Sequence, residues 1–428
     1  MKSLESRLMH RMVTGIAVML LAGVIFCSCG LLFPSHHNFS GPIPHGGLGG
    51  TIDFSPDAKM LAYVWKDASY VNTPKYEGRP CTLTESLEVR VCSVNGTNEE
   101  LRVSLDSIDL RPDGVLYYSL GCGLQTGPDS KHVAAICARR LVLIDFNART
   151  HQEIEYAGEY FCSFSWLNAY TLVFSTIDKK SLTFWRWQIA DPPAKRVKVY
   201  AENQESHFEN LDNRPPNQNS VGSYQWSPNG RFVTFWSRAR QSQGEDALLD
   251  LETGAVHTFP FSLFYQCWKP DCTAVLVQDK FSNDDRTLVM LVDPVTGDKL
   301  DLTKDFEKEF GSHMKLTFVA PLWTPDGKYV LLYNTSERST ALQRGCLIQL
   351  NPFKILMEKD QILRWSPVPG WVLLQGDNTF KWLDYAGNRT ANISGWPNDW
   401  RWSNDGSYAA TISGQKIKIF KPELPPTN

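Results

Sequence analysis

A short apolar run, a polar turn and a second apolar run follow one another many times along the chain. One copy reads YQWSPNGRFVTFW at 224–236, and another reads LRWSPVPGWVLLQ at 363–375. Proline presets the backbone φ that begins a tight turn, and glycine or asparagine tolerates the positive φ that follows. Each copy therefore predicts two short antiparallel strands joined by a tight turn.

The pattern occurs in eight copies, so it is a building unit of the fold and not a single site. The other six copies lie at 52–65, 124–137, 164–175, 266–278, 321–333 and 400–412. Most copies are followed by two further apolar segments around an Asp-containing turn, as in ALLDLETGAV and FKWLDYAGNRT. These units predict an all-β chain, an eight-bladed β-propeller of four-stranded antiparallel blades over 51–428. Seven blades, with the second or third copy absorbed into a neighbour, is the alternative.

A large aromatic residue ends the first strand of most copies. Tryptophan occupies this position six times, at Trp166, Trp226, Trp268, Trp323, Trp365 and Trp402. Phe54 takes it in the first copy and Thr126 in the second, so the second blade is expected to be degenerate. We expect these structural rings to fill the wedges between adjacent blades, where burial of a large apolar area contributes most. An aromatic ring of ligand-binding residues is the alternative.

The last copy is incomplete in sequence. It ends in KIKIFKPELPPTN, which predicts a third strand but no clear fourth strand. Residues 34–50 are predicted to be a linker, and the part at 38–50, NFSGPIPHGGLGG, is the segment available to supply a closing strand.

Residues 1–33 are predicted to be a signal peptide or a membrane anchor. Basic residues precede the uncharged stretch MVTGIAVMLLAGVIFCSCGLLF, a pattern typical of export signals. The segment FCSCG resembles the lipobox of bacterial lipoproteins, which would make Cys29 the site of lipid attachment. An uncleaved transmembrane anchor and a cleaved, secreted form are the alternatives. All three place the bulk of the protein outside the cytoplasm.

The W-S-P-D-G turn repeats resemble those of TolB-like propellers, also described as WD-repeat-like, and the propeller domain of dipeptidyl-peptidase-type enzymes. The resemblance covers 51 to about 420, and it implies a fold and not an activity because the repeated residues build the blades. The chain departs from these families in two respects. The Gly-His and Trp-Asp pairs of true WD repeats are absent, and so is the separate α/β domain of TolB.

Charge and cysteine content do not identify a partner. The 43 basic and 46 acidic residues give a net charge of −3, so no basic surplus points to nucleic acid. Eight cysteines follow Cys29, an even number that permits disulfides in an exported chain. No C-x-x-C pair occurs, and no metal site is predicted.

Motifs for catalysis are not found in the sequence. The chain has no G-x-S-x-G nucleophile elbow, no H-E-x-x-H, and no phosphate-binding glycine loop between a strand and a helix. His36, His37 and His45 read as a solvated spacer, and SNDDRT at 282–287 as a solvated loop. We therefore predict no catalytic residue, metal or cofactor.

Propeller topology places the turns between first and second strands, and between third and fourth strands, on one face, here called the short-turn face. The remaining connections emerge on the opposite face, here called the loop face. The long segments all belong to the loop face: 67–87, 107–122, 201–223, 237–245 and 302–316. Loops carry binding functions more often than frameworks do. The residues expected to form a binding patch there are Tyr70, Tyr76, His207, Phe208 and Phe306.

The sequence therefore predicts a non-catalytic, membrane-anchored binding platform for a protein or cell-envelope component. A propeller enzyme acting on glycans is the alternative, with polar residues converging on the central channel. A sensor for a small ligand in the channel is a third possibility.

Overall fold

In the computed structural model, most of the described residues lie in short antiparallel sheets. It describes residues 36–42, 52–72, 80–95, 101–105, 123–137, 140–154, 160–177, 181–203, 225–236, 246–259, 263–279, 289–310, 322–335, 343–359, 362–364, 366–375, 379–394, 400–413 and 416–425.

Each sheet takes its strands from one copy of the repeat, and the sheets are numbered as blades in chain order. Blade 1 contains β1 (His36–Pro42), β2 (Ile52–Phe54), β3 (Met60–Asn72), β4 (Pro80–Ser93) and β5 (Leu101–Leu105). Blade 2 contains β6 (Gly123–Thr126), β7 (His132–Cys137), β8 (Arg140–Asp145) and β9 (Thr150–Ile154). Blade 3 contains β10 (Tyr160–Asn168), β11 (Thr171–Ile177), β12 (Ser181–Gln188) and β13 (Val197–Asn203). Blade 4 contains β14 (Gln225–Trp226), β15 (Phe232–Trp236), β16 (Asp246–Asp250) and β17 (Val256–Phe259).

The second half of the chain repeats this arrangement. Blade 5 contains β18 (Leu263–Trp268), β19 (Val275–Asp279), β20 (Val289–Val292) and β21 (Lys299–Asp301). Blade 6 contains β22 (Leu322–Trp323), β23 (Val330–Thr335), β24 (Gln343–Leu350) and β25 (Phe353–Lys359). Blade 7 contains β26 (Ile362–Arg364), β27 (Trp371–Gln375), β28 (Phe380–Asp384) and β29 (Thr390–Ile393). Blade 8 contains β30 (Arg401–Trp402), β31 (Ala409–Ser413) and β32 (Lys416–Phe420).

Among the described residues, two short helical segments lie in the connections. A 3₁₀ helix spans Pro193–Lys195 in blade 3, and helix α1 spans Thr303–Phe310 between blades 5 and 6.

The sheets confirm the prediction of an all-β fold with eight antiparallel blades. In blades 2 to 7, four consecutive strands pair in chain order. The second copy of the repeat forms its own sheet, β6–β9, so the alternative of seven blades is wrong. Strands form readily here because β-branched and aromatic residues fit a pleated, buried surface. All seven residues of β11, TLVFSTI, are buried.

Blade 8 meets blade 1 and so closes the ring. Ile52, Phe54 and Leu61 of blade 1 pack in one buried cluster with Ala410 of blade 8. The guanidinium of Arg401 also contacts Asp53, with Nη2 2.9 Å from Oδ1. First and last copies therefore share an apolar wedge and an ion pair.

The first and last blades depart from the four-strand pattern. In blade 1, β1 adds to the sheet beside β3, in the order β1-β3-β4-β5, while β2 also pairs with β3. Blade 8 has three strands among the residues that the structure describes. Of the segment available as a closing strand, the described part, up to Pro42, belongs to β1 in blade 1, and 43–50 lie outside the described residues.

Residue contacts divide the chain into two compact units. The larger unit comprises Pro42–Val64, Val89–Val103 and Leu120–Asn428. The smaller unit comprises Met1–Gly41, Trp65–Glu88 and Ser104–Ser119. Its described part is β-structure, made of most of β1 and the long ends of β3 and β4. Residues 1–35, predicted to contain the signal or anchor, lie outside the described residues. Where the structure describes the chain, no helix has the length and hydropathy to cross a membrane.

Candidate functional site

The repeated tryptophans join neighbouring blades. Trp166, Trp268, Trp323 and Trp402 are buried, and Trp226 is half-buried. Four indole N–H groups donate to the inner strand of the preceding blade: Trp166 to Gln125 O (3.4 Å), Trp226 to Ser163 Oγ (2.6 Å), Trp268 to Gln225 O (3.3 Å) and Trp323 to Cys267 O (3.0 Å). A ring that is buried and hydrogen-bonded in this way stabilises the seam between blades and is not free to stack on a ligand. Trp365 lies outside the described residues.

Thr126 replaces the tryptophan in blade 2, and its hydrogen bonds to blade 1 take the place of the indole hydrogen bond. Its hydroxyl donates to Phe54 O at 2.7 Å, and its backbone N–H donates to Asp53 Oδ2 at 2.9 Å. The other carboxylate oxygen of Asp53 binds Arg401 of blade 8. Asp53 thus links three consecutive blades, 8, 1 and 2, and we call the set of Asp53, Thr126 and Arg401 the closure clasp.

The closure clasp bears on the channel hypothesis. The first strand of each copy of the repeat is the inner strand of its blade. Within the described bounds of these eight strands, Asp53 is the one acidic residue. Both of its oxygens are engaged in holding blades together, and its side chain is 14% exposed. A general acid or base must be able to reach a substrate proton. Asp53 is therefore committed to structure rather than available for catalysis.

The turns of the short-turn face satisfy their own polar groups. In the first copy the Ser55 hydroxyl donates to Asp57 Oδ1 at 2.7 Å and accepts from the backbone N–H of Met60 at 2.9 Å. The same serine or threonine to Asx bond recurs in three further copies: Ser227 to Asn229, Thr324 to Asp326 and Ser403 to Asp405. The S-P-D-G phrase is therefore a turn motif whose side chains are occupied by the turn itself.

Each of these turns requires one residue in the left-handed region. Gly230, Gly327 and Gly406 adopt φ of 66°, 64° and 72°, which glycine reaches without a Cβ penalty. Ala58, Ser130 and Cys272 occupy the same position in other copies with φ of 55°, 57° and 60°. The predicted positive φ is thus present even where the residue is not glycine or asparagine.

Neighbouring turns also touch one another. The backbone N–H of Asp57 in blade 1 donates to Ser130 Oγ in blade 2 at 3.1 Å. In blade 4, a Cβ added at Gly230 would lie 2.1 Å from the carbonyl oxygen of Trp166 in blade 3. Contacts this close leave little room for a ligand between these turns, so this part of the short-turn face is structural.

Ion pairs brace the same face. Arg231 donates two hydrogen bonds to Asp250, Nε to Oδ1 at 3.1 Å and Nη2 to Oδ2 at 2.8 Å. Burial acts to raise the pKa of Asp250, but the Arg231 guanidinium and the backbone N–H of Glu252 hold this pKa below the usual carboxyl value. The pKa of Asp384 in blade 7 behaves in the same way. Burial acts to raise it, but hydrogen bonds from Arg389 and from backbone N–H groups hold it below the usual carboxyl value.

Among the described residues, His132 in blade 2 most resembles a catalytic histidine, because it lies beside carboxylates. The sequence alone did not indicate it. Its Nδ1 lies 2.5 Å from Asp129 Oδ2, and its Nε2 lies 3.7 Å from Asp145 Oδ2. A catalytic histidine pairs one nitrogen with a carboxylate and presents the other to a nucleophile or substrate. In His132 both nitrogens face carboxylates, so the side chain braces the turn of blade 2 against strand β8.

The residues predicted to form a patch on the loop face are only partly described. Tyr70 lies in strand β3, but its side chain is not among those that the structure describes. Tyr76, His207 and Phe208 lie outside the described residues. Phe306 was predicted at a binding surface, but the structure places it in the core. It is 1% exposed, and its ring lies 5.0 Å from that of Phe353 in an edge contact.

Helix α1 explains why the prediction for Phe306 differs from the structure. Leu302 and Phe306, four residues apart, are both buried against blades 5 and 6, as expected for one face of a helix. The opposite side presents exposed charged residues: Lys304, Asp305, Lys308 and Glu309. The i, i+4 apolar spacing in LTKDFEKEF was the sequence signal for this helix. The exposed side of helix α1 is therefore polar and of mixed charge.

Cysteine chemistry and metal ligation do not define a site in the described part of the chain. Cys267 and Cys272 are buried free thiols. Burial raises the pKa of Cys267 to about 12, so this thiol is protonated and unreactive at neutral pH. The described residues contain no cluster of three or more His, Cys, Asp or Glu side chains suited to a metal ion.

Comparisons with known proteins identify similar structures but no family. No protein-family model matches the chain, and no curated protein matches it. The chain is similar to an oligogalacturonate lyase from Vibrio parahaemolyticus (11% identity, TM-score 0.45, 92% of this chain and 98% of that chain). It is also similar to TolB from Acinetobacter baumannii (15% identity, TM-score 0.31, 72% and 75%), and to a eukaryotic initiation factor (11% identity, TM-score 0.46, 84% and 96%). Likeness at this level gives no argument about function.

Proposed function

We propose that this protein is an exported, membrane-anchored propeller that binds a protein or cell-envelope component through its loop face, and that it is not an enzyme. The observation that carries the proposal is the difference between the two faces. Polar groups on the short-turn face are bonded to one another and to neighbouring blades, as in the turn at Ser55 and the pair Arg231–Asp250. The long connections, by contrast, leave from the loop face.

Helix α1 supports the same assignment. It is the described part of a long connection on the loop face, and it is anchored through Leu302 and Phe306 while Lys304 and Lys308 stay exposed. Protein–protein interfaces have a polar, solvent-accessible rim. The exposed charged side of helix α1, which is fixed to the core by its buried side, is suited to such a rim. Lipid attachment at Cys29, or an uncleaved anchor in 1–33, would hold this platform at the membrane.

A site-specific photocrosslinking experiment in cells tests the proposal. Photoreactive residues would be placed at Lys308 on α1 and at Asn203, where β13 leaves toward the loop face. Matched positions on the short-turn face are Glu252 and Thr296, both exposed. We expect a discrete crosslinked partner from the loop-face positions only. Recovery of the protein alone from all four positions, or the same partner from both faces, would contradict the proposal.

Membrane anchoring requires a separate experiment. A Cys29→Ala variant is expected to move from the membrane fraction to the soluble extracytoplasmic fraction if this cysteine carries the lipid. Retention of the variant in the membrane would favour the transmembrane anchor.

A further inference from the structure

Blade 8 lacks an outer strand in the part of the chain that the structure describes. Its order is β30-β31-β32, whereas blades 2 to 7 each have a fourth strand. The chain does not turn back beside β32 after Phe420. Residues 421–425 instead extend to blade 7, where Trp382 Nε1 donates to the carbonyl oxygen of Glu423 at 2.9 Å. One edge of β32 therefore carries no strand among the described residues.

The fourth strands of other blades show what is missing. Several end in a buried apolar residue that enters the wedge between blades: Ile154 (2% exposed), Phe259 (0%) and Ile393 (7%). In blade 8 no such residue is described. Ile412, Ile417 and Ile419 lie at the wedge with blade 1 and are only partly buried. These isoleucines thus keep apolar surface that no described strand covers.

The charges along β32 restrict what can pair with it. Lys416 and Lys418 are exposed and alternate with Ile417 and Ile419. Successive side chains of a strand point to opposite faces, so the two lysines share one face and the two isoleucines share the other. Opposite charges on paired strands are favourable, and like charges directly opposite are unfavourable. The edge is therefore matched to a strand that alternates acidic and apolar residues.

Two other occupants fit this edge poorly. A second copy pairing through its own β32 would set lysines against lysines, which is a device that proteins use to prevent edge pairing. Residues 43–50 of the chain itself, IPHGGLGG, contain no acidic residue, and glycine and proline are depleted in strands. The occupant that remains is a segment of another protein, one that forms a strand and alternates acidic with apolar residues.

We infer that the outer edge of β32 is a docking site for an extended segment of a partner protein in which apolar residues alternate with Asp or Glu. The segment adds to blade 8 as its fourth strand, with backbone hydrogen bonds supplying affinity and the isoleucine and lysine faces supplying specificity. This site is distinct from the loop face, and it does not depend on the function proposed above.

A peptide-binding experiment on the full chain, purified in detergent, tests the inference. The probe is the fluorescein-labelled capped peptide EVEIEVE, and its counterpart is KVKIKVK. We expect the acidic peptide to bind about tenfold or more tightly than the basic one, from at least two cross-strand charge pairs. Hydrogen exchange should show new protection at residues 416–420.

Charge exchange provides the specific control. The double variant Lys416→Glu, Lys418→Glu is expected to reverse the preference between the two peptides. Lys381→Glu is the matched control, because Lys381 is exposed on β28, the third strand of blade 7, whose outer edge is occupied by β29. This variant should leave both affinities unchanged. Failure of both peptides to bind, a preference that survives the exchange, or protection away from β32 would each overturn the inference.

Discussion

Blades 7 and 8 begin with closely similar sequences, LRWSPVPGWVLL and WRWSNDGSYAAT, yet blade 7 has four strands and the described part of blade 8 has three. In blade 7 the fourth strand ends in Ile393, which is buried beside Trp382 and Trp402. In blade 8 the chain leaves the sheet after Phe420, and Ile417 and Ile419 stay partly exposed.

The comparison shows that the repeated phrase specifies the inner half of a blade. The strands and the turn of that half are complete in both blades. In blade 8, Arg401 of the inner strand binds Asp53 of blade 1, and Ala410 of the second strand packs in the same cluster as Phe54. The outer strand depends on sequence beyond the phrase. Blade 8 therefore relies more on the closure clasp, whereas blade 7 relies on its apolar core.

The largest effect is expected from the apolar core of blade 7. Trp382 is fully buried and lies in edge contact with Trp402, with ring centroids 5.9 Å apart. Trp382→Ala should lower the free energy of unfolding by about 3–5 kcal/mol through lost contacts and a cavity. Ile419→Ala in blade 8 should cost less than about 2 kcal/mol, because its side chain is already partly exposed. Urea unfolding measures both, and equal losses would contradict the comparison.

The closure clasp should have the next largest effect. Asp53→Ala removes the partner of Arg401 and leaves the backbone N–H of Thr126 without its acceptor. We expect a loss of about 1–3 kcal/mol in the free energy of unfolding. Lys59→Ala is the control, since it removes only an exposed ion pair with Asp57 and should cost less than about 1 kcal/mol. A loss at Asp53 no larger than at Lys59 would show that the clasp is dispensable.

Substitutions at two turn glycines distinguish the cost of backbone strain from the cost of a steric contact between blades 7 and 8. Gly370 of blade 7 (φ 84°) has open space around an added Cβ, whereas at Gly406 of blade 8 (φ 72°) the Cβ would lie 3.3 Å from Pro367. Alanine at either position should cost about 1–2 kcal/mol from the left-handed backbone. Thermal unfolding should show the greater loss for Gly406→Ala. The reverse order would mean that blades 7 and 8 do not touch through these turns.

A smaller, pH-dependent effect is expected from Asp384. Hydrogen bonds from Arg389 and from backbone N–H groups lower its pKa in the folded state. A lowered carboxyl pKa gives stability that is complete above the unfolded pKa of about 3.9 and is lost as pH falls through the folded pKa. Asp384→Asn should therefore lower stability by about 1 kcal/mol at neutral pH and weaken its decrease below about pH 4. An unchanged acid profile would exclude this role.

Much of the fold could be predicted from local sequence. The Pro-Asx-Gly turns and alternating apolar strands are short-range signals, so the eight blades follow from them, and even the degenerate copy with Thr126 forms a complete blade. The closure clasp could not be predicted in this way, because Asp53 and Arg401 are far apart in sequence and nothing local marks them as partners.

The candidate site was harder to predict than the fold. The length of segment 302–316 predicts a loop around Phe306, whereas its four-residue spacing from Leu302 indicates a helix, which the structure has. The role of His132 does not follow from local sequence, because Asp145 comes beside its ring only when β7 and β8 pair. Residues that bind a partner would need to be identified in a similar way, from three-dimensional neighbours.

Hydrogen exchange on the free protein tests the central claim most directly, namely that the ring closes while the outer edge of blade 8 stays open. The measurement compares the amides of β32 with those of β28, which is paired on both edges, and of β29, which is an outer strand. We predict that protection in β32 matches β29 and is weaker than in β28, because unpaired edge amides exchange with solvent. Protection in β32 equal to that in β28 would contradict the account and show that the chain supplies its own closing strand.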